Sequence, residues 1–255
     1  LDIGSGAEAE DFRKAIEAAN LTVSTVEAKP ARRNPQAPFT TSTLQQEASR
    51  KLGFAPAHTM RIAQRLYEGI DIGGETTGLI TYMRTDGVQI DGSAITQARK
   101  VIGEDYGNAY VPEAPRQYQT KAKNAQEAHE AIRPTDPARR PQDMKRHLDK
   151  DQYALYKLIW ERAVASQMEA AVFDTVAVDL AAGPGNMFRA NGSTLLSPGF
   201  LAVYRESFDD VSLNPDDDEN RMLPALEQGD KVRLLAIDTE QHFTEPPPRY
   251  SEASL

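Results

Sequence analysis

The hydrophobic spacing changes period twice along the chain, and this limits the available folds more than any other feature. Between Thr40 and Met168 apolar residues recur at helical intervals, whereas before and after this stretch they tend to alternate. A period near 3.6 gives a helix with one buried stripe, and a period of two gives a strand with one buried face. A helical centre between strand-forming ends predicts an α+β fold, with a helical domain inserted into a mainly β domain built from both ends of the chain. The sequence places these parts at residues 1–38, 39–168 and 169–255, the last including the start of a returning segment. The first boundary is marked by "PARRNPQAPF": Pro30, Pro35 and Pro38 fall within nine positions, which predicts no regular structure there.

Within this frame "GAEAEDFRKAIEAAN" spaces Ala9, Phe12, Ile16 and Ala19 as a short helix, and "LTVSTVEAK" alternates as a strand. Ser42 or Thr43 is expected to cap the first central helix, with Gln46 or Glu47 as the capping-box partner and Gly53 as terminator. "APAHTMRIAQRLYEG" predicts a second helix with Met60, Ala63 and Leu66 or Tyr67 inward and Gly69 at its end. Two helices joined by a glycine-containing turn form a helix-turn-helix, which serves either nucleic-acid contact or plain bundle packing. "GIDIGGETTG" reads as a flexible hairpin-like connection to a strand, "GLITYMRTDG". Further helices are expected after Asp91, over "NAQEAHEAIR" up to Pro134, and from Asp149 to Met168. "FDTVAVDLAAG", "MFRANGSTLL" and "DKVRLLAID" read as strands. Hinges are expected at "NPQAPF" and near Ser166–Ala170.

Charge and composition exclude several classes. Cysteine is absent, which rules out disulfides and thiol chemistry. No apolar run of membrane-spanning length occurs, so no membrane partner is expected. The net charge of −9 argues against a polyanionic partner, but residues 39–150 hold 16 Lys and Arg against 14 Asp and Glu. Much of the excess acid lies in one run, Asp209 to Glu219, which reads as a solvated loop. "AHEAIRP" lacks the second histidine of a zinc helix, and neither phosphate-cradling glycine motifs nor a nucleophile elbow is present. Glu127 and Glu130 read as solubilising charge on a surface helix.

In an extended "GLITYMRTDG", Tyr82 and Arg84 share a face with Ile80. Taken alone, such a pair is usually a packed ring with a charged neighbour. It also suits chemistry, because a phenol with a pKa near 10 needs a cation to stabilise its anion, and a guanidinium fork can hold a phosphate through two hydrogen bonds. That combination favours phosphoryl transfer over acyl or glycosyl chemistry.

Together "PFTTSTLQQEASRKLGF", "RLYEG", "GLITYMRTD", "QEAHEAIRPTD" and "HFTEPPPRYSEASL" resemble the bacterial type IA DNA topoisomerases, the topoisomerase I branch most closely. The resemblance implies that Tyr82 attacks single-stranded DNA to give a 5′-phosphotyrosyl link, followed by strand passage and religation without ATP. Negatively supercoiled DNA is then the substrate, in the bacterial cytoplasm at the nucleoid. It further implies that Arg84 stabilises phosphate and phenolate, that His129 contacts DNA or relays a proton, and that Asp86 orients Arg84. Gln64, Glu68, Arg133 and Thr81 are its remaining supporting candidates. The family's Mg²⁺ is bound by an N-terminal Toprim domain, of which nothing precedes Leu1, and the Gly-Arg-Pro-Ser-Thr stretch expected after "SEASL" is not in the sequence. The chain is therefore read as a central fragment, with no metal of its own, inactive in relaxation alone, and partnered by those missing regions. Two departures stand out: a longer connection before the tyrosine segment, expected to alter its mobility, and Gly87 where the family often has Ser. Alternatives left open by the residues are a non-catalytic single-strand-binding module in which Tyr82 stacks on bases, a purely structural piece, and decatenation rather than relaxation.

Overall fold

In the computed structural model, which describes residues 3–119, 129–205, 223–243, 246 and 249–255, helix ends follow side-chain chemistry. Ser5 caps α1 (Gly6–Glu17) by accepting from the Glu8 N–H, and β1 (Leu21–Arg33) follows. α2 (Thr41–Leu52) starts earlier than expected: Thr40 is its cap and Thr43 closes the box. The Thr43 hydroxyl accepts the Thr40 N–H at 2.9 Å, the task expected of Gln46 or Glu47. Glu47 is instead buried at 1% exposure, accepting the Tyr204 hydroxyl at 2.5 Å and pairing with Arg50 at 3.4 Å, as a buried carboxylate must. Gly53 ends α2 in the left-handed region with φ of 68°.

α3 (Pro56–Glu68) carries its proline in the first turn and stops at Gly69. Its buried stripe is Thr59, Ile62, Ala63 and Leu66, which resolves the choice at its C-terminus in favour of Leu66. The connection that follows is an ordered hairpin of β2 (Ile70–Ile72) and β3 (Glu75–Thr77). Gly73 and Gly74 form its turn with φ of 68° and 95°, the positive values that a two-residue hairpin requires. α4 (Gly92–Asp105) is capped by Asp91. α5 (Pro141–Met144) is a single turn, and α6 (Lys150–Ala165) opens with an Asp149–Gln152 capping box. α6 is buried on most sides: Trp160 donates to the Pro137 carbonyl at 2.9 Å and Tyr156 to that of Arg139 at 2.6 Å, so both polar tips are satisfied.

β4 (Ala171–Ala182) and β5 (Met187–Ser197) form a long antiparallel pair, and β6 (Lys231–Val232) completes a sheet of order β5-β4-β1-β6. The mixture of helix and sheet is α+β, as the spacing predicts. The described residues divide into two compact units: one from Leu1–Arg32, Val172–Ser197 and Asn214–Pro247, the other from Arg33–Ala171, Pro198–Leu213 and Pro248–Leu255. The first is the sheet with α1; Ile16, Leu21 and Ala182 form one buried cluster in it, and Val23, Phe173 and Val178 are buried as well. The second buries Phe39, Leu44, Leu66, Leu79, Ile80, Met83, Ile102, Ile132, Leu155 and Ile159. Residues 198–205 join this helical unit because the Phe200 N–H donates to the Glu169 carbonyl at 2.9 Å.

Several expectations are corrected. β1 continues through Pro30; β6 pairs only with Leu21 and Thr22, so Pro30 lies beyond that pairing and its missing N–H breaks no bond to β6. Of "DKVRLLAID" only Lys231–Val232 is strand. Residues 129–133 are not helical, and residues 124–128 of that expected helix lie outside the described residues, as does the acidic run from Asp209 to Glu219. "GLITYMRTDG" is not a strand but an irregular segment with one isolated bridge, Ile80 to Pro134. That bridge is made by the residues on either side, the Thr81 N–H to the Arg133 carbonyl and the Thr135 N–H to the Leu79 carbonyl, and extends to no second pair.

The two segments expected to act as hinges are tied down by one loop. Arg116 donates to the Met168 carbonyl at 2.7 Å and to Asn34 at 3.1 Å, and the Tyr118 hydroxyl lies 3.0 Å from the Pro35 carbonyl and 2.9 Å from that of Ser166. Burial pushes the Tyr118 phenol up to about 12, from an ordinary value of 10.0. Below pH 10 both folded and unfolded chains keep this proton; above it the unfolded chain ionises first. Stability should therefore fall as pH rises from 10 towards 12. Denaturant titrations across that range should show a shallower decline in Tyr118→Phe than in wild type.

Candidate active site

The segment from Gly78 to Gln89 crosses the helical unit without a partner strand, so its backbone groups are satisfied one at a time. The Leu79 N–H donates to the Leu66 carbonyl at the end of α3 at 2.7 Å, and the Leu79 carbonyl accepts from Thr135 at 3.0 Å. Thr81 makes the central connection. Its N–H donates to the Arg133 carbonyl at 2.9 Å, its hydroxyl donates to the Ala131 carbonyl at 2.7 Å, and the same oxygen accepts the Arg133 N–H at 3.0 Å. Two residues on, Thr41 of α2 takes over: its hydroxyl donates to the Met83 carbonyl and accepts the Thr85 N–H, each at 2.8 Å.

These bonds fix which side chains face outward. Leu79, Ile80, Met83 and Thr85 are buried, at 1%, 1%, 0% and 7% exposure; Tyr82 is half-buried, and Arg84 and Asp86 are exposed. Tyr82, Arg84 and Asp86 thus alternate with buried residues, but Ile80 does not share their side as an ideal strand would require.

The Tyr82 ring lies between two others. Tyr67 of α3 meets it edge-on, with centroids 5.4 Å apart and planes at 67°. His129 lies 5.1 Å away at 42°. Among the described residues the Tyr82 hydroxyl makes no hydrogen bond, and neither Arg84 nor Asp86 makes a hydrogen bond or ion pair. Asp86 therefore does not hold Arg84 in place here. The geometry leaves a phenol oxygen and a guanidinium unspent, two residues apart on an outward-facing stretch, with an imidazole against the phenol ring. Such a group can bind an anion through Arg84 and present an oxygen nucleophile to it.

The other sequence candidates divide. Gln64 donates to Glu68 at 2.5 Å; Gln64 lies three positions before Tyr67 on the same face of α3, whereas Glu68, the next residue, points away from that face. Arg133 is 13% exposed at its side chain and spends its fork on Glu130, with Nε and Nη2 each 2.9 Å from a carboxylate oxygen. Its third contact is to the Pro134 carbonyl at 2.9 Å. Arg133 is thus engaged within the chain, and Glu130 is its partner rather than free solubilising charge. Sequence reasoning missed Thr41 and Tyr67. Thr41 gives no signal in a run of threonines, whereas Tyr67 is legible as an aromatic just beside the Ile62–Ala63–Leu66 stripe.

With this geometry in hand, comparison with known proteins is decisive. A family model described as DNA topoisomerase matches residues 2–255. The chain belongs to the DNA topoisomerase family. It is 53% identical to DNA topoisomerase 1 of Rickettsia bellii over 256 residues, covering 100% of this chain and 32% of that protein. It is 54% identical to that of Zymomonas mobilis, covering 100% of this chain and 20% of the relative. Among solved structures, full-length topoisomerase I from Thermotoga maritima matches with a TM-score of 0.80 and 34% identity, covering 96% of this chain and 38% of that one. The chain thus spans about a third of the length of the Rickettsia relative.

Gly87 lies hard against His129. A Cβ added at Gly87 would come within 2.2 Å of the His129 carbonyl oxygen, a backbone atom that no rotamer change can move aside. Gly87→Ala is expected to lower unfolding stability by about 1–3 kcal/mol, as overpacking does. It should also weaken the ring contact between His129 and Tyr82. Denaturant melts and nuclear Overhauser contacts between the two rings check both effects.

Proposed function

We propose that this chain is the tyrosine-bearing central part of a type IA DNA topoisomerase, and that Tyr82 is its nucleophile. The observation that carries the reading is the outward phenol of Tyr82, unbonded among the described residues, beside exposed Arg84 in a member of the topoisomerase family. The Tyr82 oxygen attacks a backbone phosphorus of single-stranded DNA. A bond forms between that oxygen and phosphorus, the bond from phosphorus to the 3′-oxygen breaks, and the phenol proton is balanced by the one the leaving oxygen takes up as a 3′-hydroxyl. The phosphate stays on the 5′-side of the break, attached to Tyr82. The reverse attack restores the strand after another has passed, so phosphodiester energy is conserved and no ATP is consumed.

Arg84 holds the phosphate and stabilises negative charge on phosphate and phenolate. His129, against the ring, serves as the proton relay or DNA contact. Gln64, on the α3 face of Tyr67, and Glu68, which it bonds, line the DNA path. Thr81 and Arg133 support the site through backbone and ion-pair bonds rather than by touching DNA. Among the described residues no group of three or more acids or histidines is placed to hold a metal ion. In the proposal Mg²⁺ is held by a Toprim portion outside these residues. Negatively supercoiled DNA is then the substrate and the nucleoid the site of action. No helix among the described residues is long and apolar enough to cross a membrane.

A base-stacking role for Tyr82 is less well supported, because its ring is already engaged by Tyr67 and His129. A phenylalanine distinguishes the two, since stacking tolerates loss of the oxygen and attack does not. With the Toprim portion supplied and labelled single-stranded DNA, wild type is expected to give a denaturant-resistant adduct and Tyr82→Phe none. Arg84→Ala should slow adduct formation by roughly 100- to 1,000-fold, the usual cost of removing a charge-stabilising donor. An adduct on Tyr82→Phe, or none on wild type once the portions associate, would overturn the proposal. The chain alone is expected to leave supercoiled plasmid unrelaxed in Mg²⁺.

A further inference from the structure

We propose that Tyr67 is a positioning residue, whose ring, packed edge to face with that of Tyr82, aims the Tyr82 hydroxyl at the phosphate. The inference rests on the reading of Tyr82 as nucleophile, and begins from where α3 ends. That helix is anchored by its buried stripe, yet Tyr67 projects off the stripe and stays 41% exposed. A large ring so exposed gains little from burial. Its one ring partner among the described residues is Tyr82.

The ends of α3 and the tyrosine segment are locked together by backbone. Besides the 2.7 Å bond from Leu79 to the Leu66 carbonyl, Gly78 lies so close to Tyr67 that a Cβ there would be 2.7 Å from the Tyr67 carbonyl oxygen. The Cα of Tyr67 is therefore fixed relative to the start of the segment carrying Tyr82.

Tyr82 itself sits where no regular strand restrains its backbone. Among the described residues no hydrogen bond holds its hydroxyl, so the two neighbouring rings help set its rotation, and edge-to-face packing prefers a narrow set of orientations. His129 covers the Tyr82 ring from an irregular segment; Tyr67 is the neighbour mounted on a helix. A displacement of about 1 Å at a reacting atom can cost roughly 100-fold in rate. An exposed tyrosine that does no chemistry itself is thereby placed to control the rate of the residue that does.

The test uses the complete topoisomerase polypeptide containing this chain, with single-turnover adduct formation on a labelled single-stranded oligonucleotide. Tyr67→Ala should slow adduct formation at saturating DNA by roughly 10- to 100-fold, with oligonucleotide affinity and melting temperature unchanged. Tyr67→Phe, which keeps the ring edge, should restore the wild-type rate. A wild-type rate in Tyr67→Ala would overturn the inference and leave the assignment of Tyr82 standing. So would a defect that vanishes at saturating DNA, which marks a base contact, or a Tyr67→Phe as slow as Tyr67→Ala, which marks the hydroxyl. Failure of wild type to form an adduct, or an adduct on Tyr82→Phe, would remove the assignment of Tyr82 and this inference with it.

Discussion

Everything proposed for the site depends on how an irregular segment is held without a sheet. Residues 78–89 have backbone donors and acceptors to satisfy, and each left unmet in a buried position would cost about 1–3 kcal/mol. Thr81 and Thr41 meet much of that need, because one hydroxyl can donate and accept at once. The Thr81 oxygen joins the Ala131 carbonyl to the Arg133 N–H, and the Thr41 oxygen joins the Met83 carbonyl to the Thr85 N–H. Between these two anchors lies Tyr82. A regular strand would fix the same residues, but it would surround the phenol with neighbours from adjoining strands. The irregular path leaves the side chain outward while the backbone on both sides is tied.

The same economy governs charge. Glu47 and Arg133 are buried or nearly so, and each is spent inside the fold, Glu47 on Tyr204 and Arg50 and Arg133 on Glu130. Arg84 is the contrasting case: it is exposed, and no partner among the described residues holds it. A guanidinium kept in water loses little until an anion arrives, whereas one already in a bidentate pair must first break it. This difference, more than proximity in sequence, separates the arginine proposed to bind phosphate from the one that stabilises structure.

Much of the architecture was legible. The helices from Thr41 to Ala165 announce themselves by stripes and by stop signals such as Gly53 and Gly69, and the hairpin by its paired glycines, since these are local requirements. Non-local facts were not. Nothing in "GLITYMRTDG" reveals that it would meet residues 133–135 at a single bridge rather than along a partner strand, so an alternating stretch that reads as strand is an irregular segment. Pro30 reads as a strand breaker, but β6 is too short to require its missing N–H. The closeness of His129 to Tyr82 follows from bonds between residues about fifty positions apart and has no local signal; the family resemblance offered His129 only as a DNA contact or proton relay. Arg133 illustrates the reverse: its place in a segment resembling the family invited a DNA role, while Glu130 three positions earlier is the partner it is paired with.

The central claim is that the Tyr82 oxygen becomes bonded to a DNA phosphorus on the 5′-side of a break. It is tested most directly by trapping the adduct formed by the complete polypeptide, digesting it with trypsin and nuclease, and identifying the nucleotide-bearing peptide by mass spectrometry. The account predicts a single modified residue, Tyr82, linked to a 5′-phosphate, with the opposite DNA end free as a 3′-hydroxyl. A nucleotide on Tyr67 or any other residue, or a 3′-phosphate linkage, would contradict it.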